Sequence, residues 1–177
     1  MTEPAVKQAR SAVRWLWVSL AIIVLDQWTK WLIIARFELY ERLEIWPVLG
    51  ITRLHNTGAA FSFLSDAGGW QRWFFVILGI AVSILVIVWL TRLPARGRSW
   101  LAASLALVVG GAVGNIIDRV RFGYVVDFIS VHYERWYYPA FNVADSAITV
   151  GAIVLLIESL LTRDSSAPAQ DGDKAKS

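Results

Sequence analysis

Apolar residues dominate four stretches of this chain, each close to the length of a membrane-crossing helix and each fenced by charged or turn-forming positions. They run from Trp15 to Ile34, Trp73 to Leu90, Trp100 to Ile117 and Ala144 to Leu161. A helix of about 20 residues crosses a hydrocarbon core about 30 Å thick, so the pattern predicts four membrane spans. The first stretch is long for the apolar region of a secretory leader, carries Asp26 and Lys30, and is followed by no small-x-small cleavage pattern. It reads as a retained membrane helix.

The segments between the spans have patterns of their own. Leu43 to Leu54 is rich in β-branched and apolar residues punctuated by Pro47 and Gly50, which predicts one or two short strands. His55-Asn56-Thr57-Gly58 is a turn signal, and the apolar run Ala59 to Leu64 predicts a short helix lying in the membrane interface. Tyr124 to Val131 is again strand-like, whereas Thr91 to Ser99, with Pro94 and Gly97, reads as a plain tight connection. The expected fold is a mainly α membrane protein: four transmembrane helices, a small extracytoplasmic β-sheet resting on the bundle and a short interfacial helix. Residues 1–163 form one integral membrane domain in this reading. Residues 164–177, rich in Ser, Ala, Asp, Lys and Gly, form a disordered cytoplasmic tail.

Composition agrees with the pattern. Of 177 residues, 56% are hydrophobic and 18% charged, too apolar a balance for a soluble domain of this size. Ten tryptophans and five tyrosines suit anchoring at headgroup depth. The net charge of +3 tracks topology and not nucleic acid, because the basic residues form no run interleaved with exposed aromatics. Lys7, Arg10 and Arg14 precede the first span, Arg92, Arg96 and Arg98 join the second to the third, and Arg163, Lys174 and Lys176 follow the fourth. Cytoplasmic flanks carry the Lys/Arg excess, so both termini are expected in the cytoplasm and the two larger loops outside. Cysteine is absent, which excludes disulfides and thiol chemistry. With His55 and His132 as the only histidines, no metal or other cofactor is expected.

The candidate chemistry gathers at the outer ends of the spans. A carboxylate near hydrocarbon is a functional-site hypothesis by default, and Asp127 is hemmed in by Val125, Val126, Phe128 and Ile129. Asp145 opens the fourth span, where it or Asn142 has the simpler role of capping a helix. Two carboxylates brought within hydrogen-bond reach do not both ionise cheaply. One keeps a proton to polarise a carbonyl while the other takes a proton from water. Asn56, Asn115, Asn142 and Arg119 are candidates to hold a substrate backbone or a developing oxyanion. Gly110, Gly111 and Gly114 point to close helix packing, with Asn115, Asp118 and Arg119 delivered at its end. Asp26 and Lys30, four apart with the acid first, read as a structural ion pair, with Lys30 near enough to the outer end to snorkel to the headgroups.

Taken in order, five segments resemble the lipoprotein signal peptidases (signal peptidase II), aspartyl peptidases of the bacterial inner membrane. They are Asp26-Gln27-Trp28-Thr29-Lys30, Asn56-Thr57-Gly58-Ala59-Ala60-Phe61, Gly114-Asn115-Ile116-Ile117-Asp118-Arg119, Gly123-Tyr124-Val125-Val126-Asp127-Phe128 and Phe141-Asn142-Val143-Ala144-Asp145-Ser146. The resemblance runs from about Leu25 to Ile157. It implies removal of the signal peptide from prolipoproteins that already carry a diacylglyceryl cysteine, with the cut on the amino side of that residue. It also implies Asp127 and Asp145 as the catalytic pair, and Asn56, Asn115, Arg119 and Asn142 as the lining of the site where globomycin-type inhibitors bind. Membrane lipids are the remaining partners, and the active site faces the periplasm. A different class of function, a small transporter or channel with a carboxylate ion path, fits less well. Transporters place such groups near the bilayer midplane on broken helices, whereas here they cluster at one face and no internal repeat is visible.

Overall fold

A computed structural model of the protein describes residues 12–58, 69–94 and 97–164. A short 3-10 turn (Ala12–Trp15) leads into α1 (Leu16–Arg36), followed by a hairpin of β1 (Arg42–Trp46) and β2 (Leu49–Asn56). Then come α2 (Trp70–Arg92), α3 (Ser99–Phe122), β3 (Val125–Tyr133), the two-residue β4 (Trp136–Tyr137) and α4 (Val143–Asp164). All four helices are long and apolar enough to cross a membrane. The expected interfacial helix at Ala59 to Leu64 lies outside the described residues, as does the expected tail from residue 165 onward. Asp164, counted with that tail above, is the last residue of α4.

The third span runs five residues beyond the end, at Ile117, that its apolar pattern predicts. Main-chain hydrogen bonds do not depend on apolar side chains, so the helix continues through Asn115, Asp118 and Arg119. Gly123 ends it, adopting a left-handed φ of 87° and donating its N–H to the Arg119 carbonyl.

Helix α3 is the centre of the bundle and packs against α1, α2 and α4. In its most apolar stretch 56% of the residues are buried, against 22%, 22% and 17% for the other three spans. Its small residues explain this. Gly110 lies against Ser19 and Ile22 of α1, Gly111 against the Ala144 carbonyl of α4, and Gly114 between Asp26 and Ala144. The outward faces of the surrounding helices stay apolar and exposed, as at Leu20, Val24, Ile84, Leu85, Ile153 and Leu156. A β-carbon on Gly114 would sit 2.7 Å from the Asp26 carboxylate. Gly114→Ala is therefore expected to force α1 and α3 apart at a cost of about 1–3 kcal/mol, seen as earlier thermal unfolding in detergent.

The four strands form one antiparallel sheet in the order β1-β2-β3-β4. It covers the bundle end where α1 and α3 finish and α4 begins, with Val126 and Phe128 packed on Ile33 of α1. One irregularity matters for the site. Ile51 pairs with Ile129, but Leu54 pairs with Asp127, so β2 spends one more residue than β3 over this interval. Such a bulge re-phases the alternation of side chains. Beyond it Leu54 and Asn56 share a face with Asp127, whereas an unbroken strand would present His55 there. Arg53, inside the bulge, donates to the carbonyls of Ile34 and Phe37 at the end of α1 and pins the bulge in place.

Candidate active site

The amino terminus of α4 is built by two residues that cap each other. The Asn142 side-chain oxygen accepts the Asp145 N–H at 2.9 Å, and an Asp145 carboxylate oxygen accepts the Asn142 N–H at 3.2 Å. This is a capping box, which satisfies two helix-end donors reciprocally. The simple capping role weighed for these residues is therefore real, and it leaves the rest of both side chains available. Asn142 is fully buried and turns its amide NH2 to Asp127 (2.7 Å) and to the Asn115 oxygen (3.3 Å). Asp145 keeps its other oxygen for the Asn115 NH2, at 2.7 Å.

Asp127 reaches the same place from the sheet. The turn at Gly123 sends β3 back past the end of α3, where an Asp118 oxygen accepts the Val126 N–H at 3.1 Å. Asn56, diagonal to Asp127 across the strand pair, donates to its second oxygen at 2.9 Å. The Asn56 oxygen is occupied by the Gly58 N–H at 2.8 Å, which fixes the amide with its NH2 toward Asp127. Gly58 has φ +88°, and any side chain there would collide with the Phe75 ring.

Asp127 thus accepts two amide donors yet is only 2% exposed. Burial, and secondarily the Asp145 charge, push its carboxyl up to about 6, against the smaller opposing pull of Asn56 and Asn142. Among the described residues no hydrogen bond joins the two carboxylates directly. They communicate through Asn142 and Asn115, where direct contact was expected. Each oxygen of Asp127 still has a lone pair free for a proton.

Arg119 stands beside this net and not within it. Its guanidinium lies 5.0 Å from the Phe75 ring centre, and among the described residues it donates to the Asn115 carbonyl at 3.3 Å. Two clefts flank the pair of aspartates. One of about 300 Å³ is lined by Leu54, Asn56, Asp127 and Pro139. Another of about 340 Å³ is lined by Tyr138, Phe141, Asp145, Ser146 and the exposed α4 residues Thr149 and Val150.

Asp26 and Lys30 form the expected ion pair at 2.9 Å, but Lys30 does not snorkel: it is 2% exposed. The cause is a second carboxylate, Asp118, also 2.9 Å away, together with the Asn115 oxygen at 3.1 Å. These three acceptors satisfy the ammonium inside the bundle. Asp118 and Gln27, which bridges the two carboxylates, are the polar residues that the sequence pattern left without a role. A signal for Asp118 was present. It lies three residues after Asn115 on one helix face, and a buried lysine calls for more than one partner.

His55 stacks on Tyr124 with ring centres 3.7 Å apart, and burial lowers its pKa. Among the described residues no three His, Cys, Asp or Glu side chains gather to hold a metal ion.

Residues 18–161 match a family model described as signal peptidase (SPase) II. A lipoprotein signal peptidase of Pseudomonas fluorescens is 49% identical over 159 residues, covering 89% of this chain and 93% of that one. One from Acinetobacter baumannii is 54% identical over 145 residues, 82% of each chain. Among solved structures, a bacterial membrane enzyme determined at 2.3 Å resolution superposes with a TM-score of 0.74 at 31% identity, over 93% of this chain and 94% of that one.

Proposed function

Because the chain belongs to the signal peptidase II family, we propose that it is a multi-pass bacterial membrane aspartyl endopeptidase. It removes signal peptides from prolipoproteins carrying a diacylglyceryl cysteine and cuts on the amino side of that residue. The observation that carries the aspartyl assignment is the asymmetric environment of the two carboxylates around Asn142. Asp145 sits at the amino terminus of α4, where its oxygens accept the Asn142 N–H and the Asn115 NH2, while burial raises Asp127 to about 6. The first is suited to take a proton and the second to give one.

Asp145 accepts a proton from water as the water oxygen bonds to the scissile carbonyl carbon, and Asp127 protonates the carbonyl oxygen. Collapse of the tetrahedral diol breaks the C–N bond. The proton on Asp145 passes to the departing amine and the diol returns one to Asp127, leaving the pair as it began. Arg119, Asn56 and Asn115 hold the peptide in this reading. The cleft beside Asp145 opens onto the exposed side of α4, which suits an acylated substrate arriving in the plane of the bilayer. The Lys/Arg-rich flanks support a topology with both termini in the cytoplasm and the aspartates at the periplasmic face. The transporter reading is not favoured: the acids sit at one bundle end among relatives that are peptidases.

The test is cleavage of a prolipoprotein peptide by the purified protein, with products identified by mass. A diacylglyceryl peptide should be cut before the modified cysteine. Equal cleavage of the unlipidated peptide, or a cut elsewhere, rules the substrate assignment out. The value of kcat/KM should fall as pH rises through about 6, because the raised carboxyl of Asp127 is lost to ionisation there. Apparent values belong to the coupled pair. Bound substrate excludes more water, so the corresponding fall in kcat should lie at higher pH. A chelator should leave the rate unchanged, and globomycin-type compounds should compete with the peptide.

A further inference from the structure

The buried charges of α1 and α3 are arranged for more than mutual neutralisation. An ion pair tying two helices together needs one cation and one acid across the gap. Here Lys30 takes an acid on its own helix as well, and each acid also holds the main chain of a third element. Asp118 accepts the N–H of Val126 at 3.1 Å, and Asp26 accepts the N–H of Ala144 at 2.9 Å. Val126 and Ala144 are the residues immediately before Asp127 and Asp145. Two carboxylates on one ammonium therefore grip the backbone one position ahead of each member of the pair. Gln27 closes the arrangement, donating to Asp118 at 2.9 Å, to Asp26 at 3.2 Å and to the Gly114 carbonyl at 3.2 Å.

A third arm acts on the side chains. Lysine has donors and no acceptor, so the Asn115 oxygen must face Lys30 Nζ. The Asn115 NH2 is then left to donate to Asp145. A flipped amide would set oxygen against the Asp145 carboxylate.

We propose that Asp26, Lys30 and Asp118 form a positioning hub that sets the separation and orientation of Asp127 and Asp145 for hydrolysis. The proposal rests on the assignment of those two aspartates as the catalytic pair. None of the three hub residues touches substrate; all act through Val126, Ala144 and Asn115.

The deciding variant is Asp26→Asn/Lys30→Met/Asp118→Asn, which removes the three charges together and leaves no buried charge without a partner. Lys30→Gln, which keeps an amide donor for Asn115, is measured beside it. Both are assayed as full-length protein on the diacylglyceryl peptide, with thermal unfolding followed in the same detergent. A displacement near 1 Å costs on the order of 100-fold in rate. The triple variant is thus expected to lose about 100-fold in kcat with KM within about twofold, because the interaction lost is one of geometry and not of binding. Its unfolding curve should stay close to that of the parent. A folded triple variant with parental kcat, or a loss confined to KM, overturns the hub. So does failure of both variants to fold, which would make the triad a folding element. Asp127→Asn run in parallel separates the two claims: if it is inactive while the hub variants are unimpaired, only the hub fails. If Asp127→Asn turns over normally, the catalytic pair itself is wrong.

Discussion

Asp145→Asn and Asp127→Asn are each expected to lower turnover of a diacylglyceryl peptide by about 10⁴-fold, the scale of losing one member of a catalytic unit. Their effects on stability should be similar in kind. An asparagine at 145 keeps an oxygen for the Asn142 N–H, so α4 stays capped, but its NH2 then meets the Asn115 NH2. At 127 both carboxylate oxygens likewise accept amide donors, Asn56 and Asn142. An amide there sets one NH2 against another, which offsets the gain from removing a desolvated carboxyl. Circular dichroism and thermal unfolding establish that each variant is folded, and product analysis by mass gives the rate. Near-parental turnover in either folded variant ends the assignment.

Asn142→Ala should show the second largest loss, about 10³-fold in kcat, with a drop in stability of about 1 kcal/mol from the missing cap. One side chain here caps α4, donates to Asp127 and steadies Asn115. Asn142→Asp separates these duties. It keeps an oxygen for the Asp145 N–H and so restores the cap, but it faces Asp127 with a second buried carboxyl in place of a donor. The expected result is lost activity with the regained cap offset by the cost of that carboxyl. An active Asn142→Asp would mean that the amide donation to Asp127 is dispensable.

Much of this architecture was legible because periodicity and cost are written locally. Four long apolar runs allow four spans and little else, and strands near Leu43 to Leu54 and Tyr124 to Val131 follow from β-branched residues between turn signals. Asp127 and Asp145 stand out because carboxylates among apolar neighbours demand an explanation. What escaped the sequence is relational. The bulge between Ile51 and Leu54 is invisible in composition, yet it decides that Asn56 and not His55 faces Asp127. The fate of Lys30 depended on Asp118, 88 residues away, and snorkelling was the reasonable expectation for a lysine with one visible partner. The extension of α3 to Phe122 was hidden because polar residues look like the end of a span when only hydropathy is counted.

The capping box at Asn142 and Asp145 also bears on when the protein becomes competent during its own synthesis. Chains emerge amino terminus first, so three helices and all four strands precede α4. At that stage Asp127 has Asn56 but neither Asn142 nor Asp145, and the Asp26 oxygen has no Ala144 N–H to accept. Insertion of the last helix supplies the cap, the second acid and the final anchor together. On the proposed assignment of Asp127 and Asp145, a chain that ends before α4 is expected to be inert as a peptidase, and cutting to begin only once the last helix is in place.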